Sequence, residues 1–390
     1  MSNQTVFTPY KFAGAVNAQD LREFFVWCSR QQVSDIHIQG GSPIVVSRYG
    51  RLLRATEFEL ADDTLGKLMD EVFNPEIRSM VRGCKPVDRA LQLDGDQHDR
   101  YGLKRGERLR LRCNFVQATA GRQDTTLAVT MRVIPSVIPP LSEMGLEDDL
   151  FESLLPGSGL GILGGITGSG KSTLSASIYR HCLDTDPDRK ITTLEDPIEF
   201  VLGRANDILE PTQLQIGRDV ATYGEGIRAA LRRAPSIIGV GEMRDLDTLL
   251  AGILAGQVGH FNLSTLHINS PGEAIPRCLS LVESSIRDAT ARDLLGVLQY
   301  VVVQKLLRTR DGQRRAVREY IIFDDPLRET LAGMSYTLWG AHIDGIIKAQ
   351  RRRIADQAWR LFQDGLIAEQ ELASAMTAFQ LRELRQGGLR

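Results

Sequence analysis

Gly165-Ile166-Thr167-Gly168-Ser169-Gly170-Lys171-Ser172 spells G-x-x-x-x-G-K-[ST], the pattern of a phosphate-binding loop. The apolar run Leu160-Gly161-Ile162-Leu163-Gly164 before it reads as a buried strand, and Thr173-Leu174-Ser175-Ala176-Ser177-Ile178 after it reads as a helix start. Strand, loop, helix is the context such a pattern requires. Glycines at 165, 168 and 170 open backbone conformations closed to other residues, so that successive N–H groups can turn toward phosphate oxygens. Lys171 is expected to reach the β- and γ-phosphates of ATP and Ser172 to hold Mg²⁺ through its hydroxyl. Thr167, Ser169 and Thr173 complete the set expected around the nucleotide, and the helix brings its positive N-terminal end to the same anion.

Working outward, the chain has 390 residues, enough for two or three domains with their own cores. Apolar residues make up 42% and charged residues 25%, with a formal net charge of −2, so no overall bias toward DNA or an acidic membrane exists. Direct DNA binding is further disfavoured by the lack of an aromatic-basic strand pattern. Five cysteines, odd in number and without a C-x-x-C pair, argue against a disulfide framework or a zinc site and fit a reducing cytoplasm. No stretch of about 18 uninterrupted apolar residues exists for a bilayer crossing, so membrane attachment is expected to be peripheral.

Residues 1 to about 17 show no period and are expected to form a flexible lead. Leu21, Phe24, Phe25 and Cys28 recur at helical spacing and read as a core-facing helix. Two β-rich runs from Ser34 to Leu52, joined by Gly/Pro turns, suggest a meander, followed by a helix from about Asp62 to Phe73. His37 alternates with Ile36 and Ile38 and is assigned no catalytic role. Residues 94–108 form a dense charged stretch. Leu109, Leu111, Cys113 and Phe115 then alternate with Arg108, Arg110, Arg112 and Asn114, a half-exposed strand with an arginine-lined face whose simplest reading is solvation. A second strand covers 126–134. Pro135, Pro139 and Pro140 mark a linker over 135–148.

From about residue 149 to 326 strands and helices alternate as in a parallel sheet. Strand candidates are 160–164, 190–194, 236–240 and 261–266, with helices from 171, 219 and 245. Their ends deliver the phosphate loop, Glu195-Asp196-Pro197-Ile198-Glu199, Gly241-Glu242-Met243-Arg244-Asp245 and His267. Ligands in open α/β sheets bind outside the carboxyl ends of strands, so these loops are expected to form one site. Ile237 to Glu242 reads as a Walker B element with Glu as its acid. Glu195 and Glu242 either divide the work of holding Mg²⁺ and orienting the attacking water or are surface acids at strand ends. The tail from about 327 reads as helices, Trp339–Leu361 and Ala368–Leu384, the second ended by Gly387-Gly388.

These loops together resemble the type II/type IV secretion and type IV pilus ATPases. Thr193-Leu194-Glu195-Asp196-Pro197-Ile198-Glu199 is similar to the family's Asp box, and Gly239 to Asp245 to its Walker B. Gly259-His260 with Ser264-Thr265-Leu266-His267-Ile268-Asn269-Ser270 is similar to its His box. Ser34 to Leu52 and Gln304-Lys305-Leu306-Leu307 extend the likeness to residues 20–325. The charged insertion and the helical tail look closer to the DotB and TraJ ATPases of secretion and conjugation than to PilT. One departure is Ala234-Pro235-Ser236, where many relatives carry Asp-Pro-Asp; another oddity is Asn262 in an apolar strand.

The resemblance implies an α/β chain: a PAS-like mixed α/β domain (1–134), the linker (135–148), a RecA-like P-loop ATPase domain (149–326) and a helical C-terminal region (327–390). It implies a homohexamer using ATP and Mg²⁺, attached at the cytoplasmic face of the inner membrane through secretion or conjugation proteins and a coupling protein. It further implies that Arg110, Arg112 and Arg132 face the nucleotide of the same or a neighbouring chain, with Ser172 and Glu242 at the metal, and that His267 senses the γ-phosphate. A pilus extension or retraction motor, and an assembly platform that binds ATP with little hydrolysis, are the alternatives. A small-molecule kinase is disfavoured because no acceptor pocket is evident.

Overall fold

The computed structural model describes residues 7–98, 100–120, 123–134, 137–204 and 206–386. They form two compact units divided after Val137. In the first, α1 (Ala18–Arg30) starts at a reciprocal cap, where the Asn17 side chain accepts from the Gln19 and Asp20 N–H groups and Asp20 accepts from the Asn17 N–H. Donors left over in the first turn are thereby satisfied. Leu21, Phe24, Phe25 and Cys28 are buried, as the spacing predicts.

The meander β1 (Val33–Gln39), β2 (Ser42–Arg48), β3 (Arg51–Leu60) follows, then α2 (Asp62–Val72), α3 (Pro75–Arg82), β4 (Val87–Asp94), β5 (Arg108–Ala120) and β6 (Gln123–Ile134). The sheet runs β3-β2-β1-β6-β5-β4 with every neighbour antiparallel. Its apolar face, with Ile36, Ile38, Leu111, Cys113, Phe115, Val129 and Met131, packs on the three helices. The opposite face is polar: Asp35 and Arg112 flank Arg132 in register, and His37 and Asn114 flank Thr130.

Residues from 7 onward correct the expected flexible lead, whose residues 1–6 lie outside the described residues. Phe7 and Tyr10 pack tilted against Trp27, Phe12 against Phe24, and the Tyr10 N–H donates to the Ala55 carbonyl at 2.8 Å. An irregular segment anchored by aromatic rings has no period to detect.

The second unit contains α4 (Asp148–Ser153), β7 (Gly159–Gly164), α5 (Lys171–Thr185), β8 (Ile191–Glu195), β9 (Thr212–Gln215), α6 (Tyr223–Leu231), β10 (Ile237–Val240), α7 (Leu246–Gln257) and β11 (Phe261–Leu266). It continues with α8 (Ala274–Leu279), α9 (Arg287–Val297), β12 (Leu298–Arg308), β13 (Arg314–Ile322), α10 (Asp325–Ala332), α11 (Tyr336–Ala349), α12 (Ile354–Gln363), α13 (Glu369–Ala375) and α14 (Ala378–Gln386). The sheet runs β13-β12-β7-β11-β10-β8-β9, and only β13 is antiparallel to its neighbour. β7 is buried along its whole length at the centre. Leu160 and Ile162 enter one core with α7, α9 and the C-terminal helices, while Leu163 enters a second core with α5. This is the α/β, RecA-like architecture.

Several expectations shift. β4, β9, β12 and β13 were not anticipated, and α6 starts at Tyr223, where the Thr222 hydroxyl accepts from the Glu225 N–H, rather than at 219. The stretch expected as a linker instead packs on the second unit, with Leu141 buried and Ile138, Met144 and Leu146 against the same core. Pro135 lies outside the described residues. The expected helix over 339–361 is broken between α11 and α12, where Arg351 takes a left-handed φ of 53°. The pattern over 368–384 is likewise two helices, and Gly387-Gly388 lies outside the described residues.

Candidate active site

The C-terminal ends of β7, β8, β10 and β11 carry the loops that the sequence singles out. Gly165, Gly168 and Gly170 take φ values of 138°, 80° and 86°, a region that side chains rarely enter. Gly170 is the N-cap of α5, and no side chain caps that helix, so its first N–H groups stay open to an anion. Lys171 Nζ donates to the carbonyls of Gly165 at 2.6 Å and Ile166 at 3.1 Å, folding over the loop that a phosphate would share. Burial draws its pKa down, against the pull of Glu242 and Glu199. Thr167 and Gly168 are exposed, Ser169 is buried, and Ser172 and Thr173 lie half-buried on the first turn of α5. An uncapped helix end, a lysine and a serine hydroxyl fit MgATP, because Mg²⁺ in such sites draws most of its oxygens from phosphate and water.

Glu195 ends β8. Its carboxylate accepts from the Thr193 hydroxyl at 2.6 Å and from Gln213 Nε2 at 3.0 Å. Burial raises its pKa in spite of these bonds and one from the Glu199 N–H. Glu242, two residues past β10, is 3.7 Å from His267 Nε2 and 4.0 Å from Arg244. Arg244 donates to Asp196 at 2.9 Å, which raises its pKa, and lies over the Tyr223 ring. The loops are braced together, since the Gly241 N–H donates to the Leu194 carbonyl at 2.7 Å and the Met243 N–H to that of Thr265 at 3.0 Å.

One edge of one sheet thus brings Lys171, Glu195, Glu242 and His267 together. Glu199, Tyr223 and Arg244 belong to it as well, though the sequence reading gave them no role; Glu199 and Arg244 fall within stretches already quoted, while Tyr223 is the first residue of α6 and carries no signal of its own. His260 does not belong: its Nδ1 is 2.6 Å from the Pro235 carbonyl, before β10 and β11, at the N-terminal edge of the sheet. Ala234-Pro235-Ser236 occupies that same far edge, where the Ser236 hydroxyl accepts from the Lys190 N–H at 3.2 Å. An acid lost there is lost away from the carboxyl ends that carry the loops. Asn262 is buried with neither amide atom hydrogen-bonded among the described residues, and nothing in the structure explains it.

Arg110, Arg112 and Arg132 lie in the first unit, on the polar face of its sheet. Arg132 Nε donates to Asp35 at 2.9 Å, and 53% of its side chain remains exposed.

The fold and this edge define a RecA-like P-loop nucleotide-binding protein. Its kind is narrower than that: the chain belongs to the family described as type II/IV secretion system protein, whose model matches residues 25–359. It is 30% identical to the uncharacterized protein YggR of Escherichia coli K12 (78% of this chain, 86% of that one). It is 28% identical to the type IV pilus retraction ATPase PilT of Pseudomonas aeruginosa (80% and 85%). The Legionella pneumophila ATPase DotB superposes with a TM-score of 0.81 at 30% identity over 94% of this chain and 96% of that one. The ADP-bound retraction motor PilT superposes with a TM-score of 0.74 at 27% identity over 94% and 99%. Among the described residues no helix is long and apolar enough to cross a membrane.

Proposed function

We propose that this chain is an ATP-hydrolysing motor of a type IV secretion or conjugative transfer apparatus. The observation that carries the reading is one sheet edge that bears Lys171 at the phosphate loop, Glu242 and Glu199 close enough to act on its charge, and Glu195 at the end of β8. Transfer of the γ-phosphoryl to water is chiefly a matter of orientation and charge stabilisation, which a lysine and two carboxylates supply. Lys171 and the loop hold ATP, and Ser172 with Glu242 hold Mg²⁺. Glu195 suits the orienting of water: a carboxyl raised toward neutrality accepts a proton more readily than an ordinary glutamate. His267, in reach of Glu242, reports the γ-phosphate.

The motor works as a homohexamer. Arg110, Arg112 and Arg132 bind phosphate oxygens of the same or a neighbouring chain, and loss of the γ-phosphate releases them. Inner-membrane secretion or conjugation proteins and a coupling protein hold the ring peripherally and take up its motion. The likeness to DotB supports this system, while the likeness to PilT favours a second reading, a pilus motor.

Steady-state ATPase activity with solution mass, for wild type and Lys171→Ala, tests the proposal. A hexamer that hydrolyses ATP, with Lys171→Ala assembled and about a hundredfold or more slower, is expected. A wild-type hexamer that binds ATP and never turns it over, even with membrane partners, leaves only an assembly platform. Disrupting the gene and scoring substrate transfer against twitching separates secretion from pilus dynamics.

A further inference from the structure

Gln304 and Arg318 stand directly opposite each other on β12 and β13, both 2% exposed. Gln304 Nε2 donates to the Ser169 carbonyl of the phosphate loop at 2.7 Å, and Gln304 Oε1 accepts from Arg318 Nε at 2.7 Å. Arg318 Nη2 donates to the Met144 carbonyl at 2.9 Å and Nη1 to the Gly145 carbonyl at 3.1 Å, so each nitrogen of the fork is held. Burial lowers the Arg318 pKa to about 10, which leaves it cationic at neutral pH.

A guanidinium has donors only. The amide oxygen of Gln304 must therefore face Arg318, which obliges the amide NH₂ to face the loop. Gln304 also crowds the loop at two other points. A Cβ on Gly165 would fall 2.5 Å from the Gln304 main-chain oxygen, and one on Gly170 would fall 2.8 Å from Nε2. Because a trans peptide is planar, holding the Ser169 carbonyl toward β12 turns the Gly170 N–H the opposite way. That N–H is one of the donors a phosphate cradle needs.

We infer that Gln304 is a positioning residue for the nucleotide, orienting the Ser169–Gly170 peptide of the phosphate loop, and that Arg318 selects the amide orientation that lets it do so. The inference rests on the nucleotide-binding reading of the loop.

Gln304→Glu is the decisive variant. It is nearly isosteric and keeps a partner for Arg318, but it sets a carboxylate oxygen against the Ser169 carbonyl. Arg318→Gln, which frees the amide to flip, carries the same test should the first variant not fold. Titration of wild type and variants with MgATP and MgADP, beside thermal unfolding, reads the result. Nucleotide affinity falls at least about tenfold, the scale of one misdirected hydrogen bond. KM rises with it while kcat changes by less than about threefold, and the thermal midpoint stays within a few degrees. Variants that bind MgATP as tightly as wild type, or whose loss of affinity only follows a lost fold, overturn the inference. A wild-type protein that binds no nucleotide would instead refute the loop's assignment before any variant is read.

Discussion

The first unit pairs all its strands antiparallel and carries polar side chains along one face of its sheet, whereas the second covers both faces of a largely parallel sheet and carries its polar groups at the strand ends. Chemistry-bearing residues follow that difference. In the first unit they lie on a face, as Arg112 and Arg132 do; in the second they lie at an edge, as Lys171, Glu195, Glu242 and His267 do. Burial of charge separates them too. Among the described residues the buried charged side chains, Arg180, Arg318 and Asp356, all lie in the second unit. An edge built from covered strands and loops braced to one another holds its groups in place.

The largest expected effect tests whether the polar face of the first unit serves the strand-end edge of the second. Arg112→Ala with Arg132→Ala is expected to slow ATP turnover by about three orders of magnitude, the scale on which an arginine stabilises phosphoryl transfer. Stability should scarcely move, because an exposed pair such as Arg132 with Asp35 contributes under about 1 kcal/mol. Steady-state ATPase assays and thermal unfolding on one preparation read both. Turnover within a few-fold of wild type would return the arginines to a solvated face.

A smaller loss is expected inside the edge itself. Glu195→Gln should lower kcat by about two orders of magnitude, as removal of a general base does. The sign with pH follows from burial. Glu195 holds its proton to higher pH than an ordinary glutamate, and the base must be ionised to act, so activity falls with acidification along a limb above that ordinary value of 4.5. The limb should disappear in Glu195→Gln and persist in Glu242→Gln. Its persistence in both would move the base elsewhere.

How much of this was legible in sequence also divides by region. β7 and β10 announce themselves because strands buried on both faces are unbroken apolar runs, and the glycines and lysine after β7 have few other uses. Glu195 and Glu242 were legible as acids at strand ends. Gln304 and Arg318 were not, since their meaning lies in pairing across β12 and β13 beneath a loop some 135 residues earlier. His260, quoted beside His267 in one motif, parts from it for the converse reason. It stands seven residues before His267 in sequence, but a strand's length separates the sheet edges they occupy. The docking of residues 7–16 escaped notice because aromatic anchoring without secondary structure has no period.

The smallest expected effect concerns the second unit's habit of burying charge where its tail docks. Glu319 on β13 accepts from the Ile354 N–H at 2.7 Å at the start of α12, and burial raises its pKa from 4.5 to about 7. Asp344 and Asp356 push it further upward, while Arg353 pulls it down. Between about 4.5 and 7 the folded chain keeps a proton that the unfolded chain has released, so this group's contribution to stability declines as pH rises through that window and levels off above it. Glu319→Gln keeps the acceptor for Ile354 and removes the titration. Its thermal midpoint should match wild type near pH 4.5 and exceed it by a few degrees at pH 8. A difference independent of pH would mean that Glu319 is ionised in the folded chain throughout, and that the charge burial marking this unit stops short of the joint between β13 and α12.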